Sequence, residues 1–447
     1  MQRAFHELIR AAETAAASLA KGPVTTDVAP AKVRDALARY DFKTPVPLLE
    51  LVMQVTQLLQ RWNVHVTHPR YFGLFNPSVT TAGVVADALA AIYNPQLASW
   101  SHAPAAQEIE RLTLRWVAAT LGPFDFANFT SGGAEANLTA VLAALTRRFP
   151  AWGAKGARAA RGATLYITSE AHHSFSKIAA MTGLGREAVR KVRVDRDARM
   201  DPADLERQLK RDRGAFLVVG TAGTTSSGAI DPLDAVADIC QKRNIWFHAD
   251  AAWGGAAAAV PRLRPHLAGI ERADSVTCDA HKWFSVPMGA GMFFSRHGDT
   301  VRRTFEVGTP YMPGRPEGAD NPFEVTAQWS RRFIGLKLFM TIAELGEAGM
   351  IEQIDRQARV GEILREKLQA AGWRVVNRTP LPLVCFTRPR LKAVPFLREM
   401  HRRQIAWMSS VRIAGGPPVI RACVTSFRTT AQDIDAVVEA LGGIASA

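Results

Sequence analysis

The spacing of apolar and polar positions changes twice along the chain, near residue 70 and again after residue 340. In the first 60 residues apolar side chains recur at helical spacing, most clearly in PVPLLELVMQVTQLLQRW, which begins at Pro45. This spacing predicts two or three helices. From about residue 70, short runs rich in β-branched and aromatic residues end in small or polar residues. These runs are predicted strands: ATLYITSE, AFLVVGTAG, IWFHADAA and SVTCDAH.

Longer amphipathic stretches separate the predicted strands. The clearest are AEANLTAVLAALTRRF and DPLDAVADICQKR, which we predict to be helices. Strands that alternate with helices predict an α/β fold, with a largely parallel sheet covered on both faces. Ligands of such sheets bind at the carboxyl ends of the strands. In this chain the unusual polar residues follow those strand ends.

A smaller unit follows residue 340. It contains one long predicted helix, EQIDRQARVGEILREKLQAAG, and three predicted strands, WRVVNRT, LPLVCFTR and PPVIRACVTSF. The last helix is TTAQDIDAVVEALGGIA, where Thr430 and Asp433 form a predicted capping box. We therefore divide the chain into a helical N-terminal arm (residues 1–70), a large α/β domain (71–340) and a small α+β domain (341–447).

Composition and charge narrow the function classes. The chain has 447 residues and a formal charge of +14, but its basic residues are scattered. This pattern favours attraction of small anionic ligands over binding of nucleic acid. No apolar segment is long enough for a signal peptide or a membrane span, so no membrane partner is expected. The cysteines, which form no CxxC pair, predict reduced core thiols in a cytoplasmic protein and no metal site: Cys240, Cys278, Cys385 and Cys423.

Two segments could hold a flat, anionic ligand. Phe129–Asn137, with the sequence FTSGGAEAN, enters a helix. Its small residues let backbone N–H groups approach an anion at the helix N-terminus, although it lacks the Gly-Lys-Ser/Thr ending of a P-loop. His172 directly follows a predicted strand, where an imidazole can stack on a heterocycle. Taken alone, such a histidine is more often a surface or capping residue.

Two further segments carry a strand-end carboxylate and a strand-end amine. Asp250 ends the predicted strand IWFHAD, and its charge could serve a protonated pyridine nitrogen, an N-cap or a salt bridge. Lys282 follows the predicted strand SVTCDAH, between Ala280 and Trp283. A partly desolvated lysine amine is suited to attack carbonyl groups. Lys282 comes 32 positions after Asp250, and the order of the four segments indicates one shared site.

With these motifs the chain resembles the group II decarboxylases that depend on pyridoxal 5′-phosphate (PLP). This family includes aromatic-L-amino-acid, glutamate and histidine decarboxylases. The resemblance covers roughly residues 45–440 and is carried by HPRYF (68–72), DAAWGG (250–255) and DAHKW (279–283). It implies PLP as cofactor, the aspartate aminotransferase-like fold type I with a mostly parallel central sheet, and a homodimer with active sites at the subunit interface.

The resemblance also implies roles for individual residues. Lys282 would carry PLP as an internal aldimine, and Asp250 would pair with the pyridine nitrogen. Tyr311, in a mobile loop over residues 305–322, would donate a proton to the substrate Cα. Asp231 and Arg331 occupy matching family positions and are expected to pair with each other. The full set of expected cofactor contacts is Gly133, Ala134, His172, Thr225, Asp250, Ala252, Asp279, His281 and Lys282.

The substrate is left open among several amino acids. Candidate pocket residues are Phe72, Phe75, Trp100, His102 and Arg421. The aromatic ones favour decarboxylation of an aromatic L-amino acid to its amine and CO2. Arg70 and Arg421 could instead receive the acidic side chain of a glutamate, aspartate or cysteine sulfinate type of substrate. Aldehyde synthesis, transamination and β-elimination are alternatives because the cofactor's chemistry is shared. A basic nucleic-acid-binding protein with a borrowed enzyme fold is the alternative from another class.

Overall fold

The computed structural model describes residues 21–312 and 317–445, together with His6, Ile9, Arg10 and Gly314. Most of residues 1–20 of the predicted arm therefore lie outside the described residues, as do Pro313, Arg315 and Pro316 of the predicted loop. The arm contains the helices Pro30–Leu37 (α1) and Leu48–Trp62 (α2). The second follows Pro47, as the helical spacing after Pro45 predicts.

Two helices lead into the large domain. Thr81–Tyr93 (α3) is capped by Thr80, whose hydroxyl accepts a hydrogen bond from the backbone N–H of Gly83. It ends at Asn94, which adopts a left-handed conformation with φ of 43°. Pro104–Leu121 (α4) begins with proline at its first position, where the missing N–H has no intrahelical partner.

Within the described residues, a central sheet of seven strands has the order β1-β7-β6-β5-β4-β2-β3. Strands β2 to β6 pair in parallel, whereas β7 runs antiparallel to both β6 and β1. The largely parallel sheet predicted from the sequence is confirmed, and β1, β3 and β7 are additions to it. The strands are Phe126–Thr130 (β1), Thr164–Thr168 (β2), Val189–Val192 (β3), Ala215–Thr221 (β4), Trp246–Asp250 (β5), Ser275–Asp279 (β6) and Gly291–Ser295 (β7).

Helices cover both faces of this sheet. Along β4, Leu217 and Val219 belong to one buried cluster while Val218 belongs to the other, because successive side chains of a strand point to opposite faces. Burial on both sides explains why these strands read as continuous apolar runs. The covering helices between the strands are Gly133–Arg148 (α5), Trp152–Lys155 (α6), Ser174–Met181 (α7), Pro202–Leu209 (α8), Leu233–Arg243 (α9) and Gly298–Phe305 (α10).

The C-terminal part contains a long helix and a second, antiparallel sheet. Leu336–Ala370 (α11) is interrupted at Gly346, whose φ of 68° is not helical. The sheet has the order β10-β11-β9-β8. The predicted capping box is confirmed, since Thr430 and Asp433 exchange backbone and side-chain hydrogen bonds. The remaining elements are Arg374–Val375 (β8), Leu383–Thr387 (β9), Ala393–Arg402 (α12), Ser409–Val411 (β10), Val419–Cys423 (β11) and Ala431–Ala445 (α13).

Because α11 begins at Leu336, it runs across the predicted boundary at residue 340. The three-part division of the chain stays a prediction. For the site, the decisive feature is that β4, β5 and β6 are adjacent and parallel. Their carboxyl ends place Thr221, Asp250 and Asp279 at one edge of the sheet.

Candidate active site

A cavity of about 250 Å³ opens at the carboxyl ends of β4, β5 and β6, facing the N-terminus of α5. All nine residues expected from the sequence to contact a cofactor line it, and so does Phe75. The structure therefore brings together side chains as far apart in the chain as Phe75 and Lys282. The other lining residues are Ser131, Gly132, Asn137, Thr221, Gly223 and Trp253.

Lys282 lies just beyond the end of β6, where the chain turns back on itself. Its backbone N–H donates to the carbonyl of Asp279, and its Nζ lies 3.0 Å from Oδ2 of the same residue. The Asp279 carboxylate is almost completely buried and can hold the lysine amine in the cavity. His281 is buried beside it, and burial lowers the pKa of its imidazole, which favours the neutral ring.

Asp250, at the end of β5, is only 4% exposed and is oriented by two donors. Its Oδ1 accepts from the backbone N–H of Ala252 at 3.2 Å, and its Oδ2 accepts from Nδ2 of Asn137 at 3.0 Å. A buried carboxylate needs such partners. A ligand with a protonated ring nitrogen would give Asp250 a charged partner inside the cavity.

His172 also lines the cavity and follows the carboxyl end of β2 by four residues. The backbone N–H of Ser174 donates to its Nδ1 at 3.2 Å, and the Ser174 hydroxyl lies 2.9 Å from the same atom. Since Nδ1 is an acceptor, the neutral ring carries its proton on Nε2. Solvent still reaches the ring, yet partial desolvation lowers its pKa below the ordinary value, and the charge of Lys282 contributes.

The residues of the cavity fit PLP. At Gly133 a Cβ atom would come within 2.8 Å of Oδ2 of Asp279 and 3.3 Å of the Ala252 Cβ, so the absence of a side chain keeps the space open. The N-terminus of α5 suits a phosphate. His172 and Ala252 leave room for a flat ring, Asp250 suits its pyridine nitrogen, and Lys282 suits its aldehyde.

The segment Thr225–Gly228, which carries the cavity-lining Thr225, is tied to the C-terminal part of the chain. Each of its four successive carbonyl oxygens accepts a hydrogen bond from a side chain of that part. The pairs are Arg421 with Thr225 (2.7 Å), Cys385 with Ser226 (3.2 Å), Asn377 with Ser227 (2.7 Å) and Thr379 with Gly228 (2.6 Å). The C-terminal sheet thus fixes the path of a segment that borders the cavity.

The candidate substrate-pocket residues do not all meet at this cavity. Phe75 lines it and stacks on Trp253 with ring centroids 4.4 Å apart, whereas Phe72 is fully buried in the core of the C-terminal part. Trp100 and His102 lie elsewhere in the same chain: the indole of Trp100 donates to Glu108, and Nδ1 of His102 lies 3.0 Å from the Ser99 hydroxyl.

Arg421 and Tyr311 also lie outside the lining of the cavity. Arg421 is completely buried behind Phe75, with its guanidinium carbon 5.0 Å from the ring centroid. Its Nη1 donates to the carbonyl of Gly73 at 2.7 Å. Tyr311 is 72% exposed, and its ring centroid lies 6.3 Å from that of Trp329.

The expected pairing of Asp231 with Arg331 is wrong. Arg331 instead donates to Glu110 at 2.6 Å, forming an ion pair in which both side chains are buried. Asp231 accepts from the backbone N–H groups of Met200 and Thr221, each at 2.7 Å. Burial raises the pKa of Asp231 to about 7, so this carboxyl is stabilised by backbone donors and not by a cation.

Asn137 is the main site residue without a role in the sequence prediction. It lies on the buried face of α5, and the residues three, four and seven positions later are apolar: Ala140, Val141 and Ala144. An amide at such a position needs polar partners in the interior. This signal was present in the sequence and could have identified it.

The described part of the chain shows neither a cluster of metal ligands nor a membrane-spanning helix. Over residues 21–312 and 317–445, no group of three or more His, Cys, Asp or Glu side chains is arranged to hold a metal ion. None of the described helices combines the length and the apolar character needed to cross a bilayer. The four cysteines are buried and free.

The fold and the site define a PLP-dependent enzyme, and comparison with known proteins gives its family. The pyridoxal-dependent decarboxylase conserved domain matches residues 30–388, so the chain belongs to that family and is a PLP-dependent carboxy-lyase acting on an amino acid.

Two relatives illustrate the range within this family, and one solved structure shows the shared fold. The aromatic-L-amino-acid decarboxylase of Bacillus atrophaeus is 30% identical over 390 residues, covering 83% of this chain and 80% of that protein. The cysteine sulfinic acid decarboxylase of Mus musculus is 32% identical over 356 residues, covering 75% and 70%. The structure of Oryza sativa TDC with PLP and tryptamine has the same fold, with a TM-score of 0.93 at 23% identity over 100% of this chain and 97% of that one.

Proposed function

We propose that the protein decarboxylates an aromatic L-amino acid to the corresponding amine and CO2. The observation that carries this proposal is the aromatic wall of the cavity. Phe75 stacks on Trp253, and Nζ of Lys282 lies 5.5 Å from the centroid of the Phe75 ring. An aromatic side chain bound near Lys282 would pack against this wall with favourable ring geometry.

The charges around the cavity support the same choice. Among the described residues that line it, the side chains able to carry a positive charge are Lys282, His172 and His281. We assign all three to the cofactor, with His281 at its phosphate. A side-chain carboxylate would therefore enter the cavity without a cation of its own, and burying an unpaired charge is costly.

Bound PLP would supply the electron sink for the electrons of the bond that breaks as CO2 leaves. The chain's own residues prepare this step. Lys282 would hold the cofactor, and the charge of the Asp250 carboxylate would favour a protonated pyridine nitrogen. His172 and Ala252 would position the ring. The lowered pKa of His172 favours the neutral ring, which presents an Nε2–H donor without adding a positive charge.

Tyr311 is our candidate for the proton donor to the substrate Cα. Its hydroxyl lies on the exposed loop that follows α10, outside the lining of the cavity. We infer that this loop moves over a bound substrate, which would bring the phenol to the site and exclude water. In a homodimer the loop could cover the site of the partner subunit.

Exposed apolar side chains on the N-terminal helices support a homodimer. Leu48, Met53 and Leu59 on α2, together with Val84 and Ile92 on α3, are all exposed in the single chain. Large apolar patches exposed on a protein surface mark interaction sites. We propose that a second copy of the chain covers these helices. A cytoplasmic location is consistent with the buried free thiols.

The test is amine and CO2 release from a panel of L-amino acids by the purified holoenzyme, with Lys282→Ala as the inactive comparison. We expect turnover of one or more aromatic substrates. Borohydride should fix the cofactor to the wild-type chain and leave Lys282→Ala unmodified in mass spectrometry. Aldehyde with peroxide, or a keto acid or ammonia, in place of the amine would contradict simple decarboxylation.

One observation favours an acidic substrate as the second candidate. Nη2 of Arg421 is buried and has no hydrogen-bond partner among the described residues. If a shift of Phe75 uncovered it, this nitrogen could receive the acidic side chain of a substrate, either a carboxylate or the sulfinate of cysteine sulfinate. Turnover of cysteine sulfinate, glutamate or aspartate with no turnover of aromatic amino acids would establish this candidate and exclude the first.

A further inference from the structure

Asn137 connects the two side chains proposed to flank the cofactor ring. It is 1% exposed and lies in the first turns of α5. Its Nδ2 donates to Oδ2 of Asp250 at 3.0 Å and to the hydroxyl of Ser174 at 3.2 Å. The Ser174 hydroxyl in turn lies 2.9 Å from Nδ1 of His172. A single amide group thus contacts Asp250 directly and His172 through one hydroxyl.

The oxygen of the Asn137 amide also has two hydrogen-bond partners. Oδ1 of Asn137 accepts from the Thr277 hydroxyl at 2.8 Å and lies 3.1 Å from Nε2 of His248. Since an amide oxygen only accepts, Nε2 of His248 must carry the proton. Nδ1 of His248 then accepts from the hydroxyl of Ser275 at 2.8 Å. Complete burial lowers the pKa of His248 to about 4, which keeps the ring neutral as this pattern requires.

The hydrogen-bond partners determine the orientation of the Asn137 amide. Asp250 is a carboxylate acceptor, so the nitrogen of Asn137 must point toward it and the oxygen toward His248. With two donated and two accepted hydrogen bonds, the amide of Asn137 uses its full capacity. The hydroxyl of Ser174 receives one of these bonds, which leaves its own proton for Nδ1 of His172.

We propose that Asn137 is a positioning residue that fixes the Asp250 carboxylate relative to His172 and so sets the affinity of the site for PLP. This inference rests on the roles proposed above for Asp250 and His172. It adds that these two side chains are held as one unit by a residue of the helix whose N-terminus faces the phosphate.

The inference is tested by the dissociation constant of PLP, measured by fluorescence titration of the apo protein. Asn137→Leu removes the donor, and we expect PLP to bind about 10- to 100-fold more weakly, as loss of a hydrogen bond to a charged group predicts. The matched control is Thr139→Val on the same helix. Thr139 is also 1% exposed, but its hydroxyl donates only to the backbone carbonyl of Glu135. Its PLP affinity should stay within about twofold of the wild type.

Asn137→Asp separates positioning from a merely structural role. Two carboxyl groups about 3 Å apart resist ionising together, which raises the pKa for loss of the last proton of the pair. At pH 6 the pair therefore retains one proton, which the introduced carboxyl can donate to Asp250. At pH 9 the proton is lost and the two groups repel. Relative to wild type at each pH, PLP affinity should be close to normal at pH 6 and about tenfold or more weaker at pH 9.

The titratable groups near position 137 are Asp250 on β5, His248 on the same strand, and His172, which is reached through Ser174. Lys282 lines the same cavity. These groups are present in both proteins, so wild-type protein measured at the same pH is the reference for the variant.

Three outcomes test the proposed positioning role of Asn137. Binding of PLP to Asn137→Leu within twofold of wild type, or an equal deficit of Asn137→Asp at pH 6 and pH 9, would overturn the inference. If the leucine variant does not fold, the pH dependence of the aspartate variant decides alone. Wild-type protein that binds no PLP would instead overturn the proposed roles of Asp250 and His172, and this inference with them.

Discussion

Replacing Arg421 with lysine tests whether a buried guanidinium outside the cavity controls its shape. Arg421 donates from Nε to Thr225 and from Nη1 to Gly73, each at 2.7 Å. Thr225 lines the cavity, and Gly73 is two residues before the cavity-lining Phe75. One planar group therefore holds two separate segments of the wall. Lysine keeps the charge, so the variant isolates the effect of the two-pronged geometry.

The size of the effect follows from these contacts. An ammonium group at the end of a flexible stem can reach one of the two carbonyls but not both in the same geometry. A hydrogen bond from a charged donor is worth about 1.5–3 kcal/mol. If the free energy of one such hydrogen bond is lost from the substrate-bound enzyme, Arg421→Lys should lower kcat/KM by about 10- to 100-fold, since 1.36 kcal/mol corresponds to a factor of ten.

The assay is steady-state amine release at saturating PLP, with thermal unfolding of the same samples. The control is Arg412→Lys, because Arg412 is exposed and donates a hydrogen bond to the carbonyl of Gly416 at 3.0 Å in the same C-terminal part. It should retain wild-type kinetics. If Arg421→Lys keeps wild-type kcat/KM and melting temperature, the two carbonyl contacts do not shape the site and the reasoning fails.

Three further variants test other parts of the structure. In Gly133→Ala the new Cβ would meet a carboxylate oxygen at 2.8 Å, so PLP should bind at least about tenfold more weakly, whereas Gly153→Ala, where nothing lies within 4 Å, should bind normally in the same titration. Arg331→Met leaves Glu110 as an uncompensated buried charge, so denaturant unfolding should show a loss of about 3–5 kcal/mol; an unchanged midpoint would argue against that pair. For His248, whose pKa is lowered to about 4 in the folded protein, the unfolded state binds more protons below pH 6.5, so stability should fall with pH from about 6.5 to 4. His248→Gln should flatten this part of the stability–pH curve, and an unchanged slope would assign it to other groups.

Much of the central sheet could be read from the sequence, for reasons visible in its strands. Strands β4, β5 and β6 are buried on both faces, so they appear as continuous apolar runs with polar residues only at their ends. Strands β1 and β7 escaped the prediction. Phe126–Thr130 is interrupted by Asn128, and the antiparallel direction of Gly291–Ser295 depends on a reversal of the chain that no local pattern encodes.

In the site, too, the sequence predicted the residues in local motifs but not the contacts between distant segments. All nine expected cofactor contacts meet at one cavity, because each lies in a motif tied to a strand end or a helix start. Partnerships across the fold were harder to predict. Arg331 pairs with Glu110 of α4 and not with Asp231, and nothing in the spacing of those residues distinguishes the two carboxylates. Asn137 ends the motif FTSGGAEAN, but the motif does not predict its role, since its partners come from other segments.

The four hydrogen bonds between the Thr225–Gly228 segment and the C-terminal part have a thermodynamic consequence. If the C-terminal part moved away, four successive carbonyl oxygens would lose their donors. The bond from Asn377 to Ser227 is buried, and an unsatisfied buried acceptor costs about 1–3 kcal/mol. Local opening of the C-terminal sheet and loosening of this cavity wall are therefore linked equilibria. By this linkage, a cofactor that requires the ordered wall should slow hydrogen exchange in β9 and β11, although both strands lie outside the lining of the cavity.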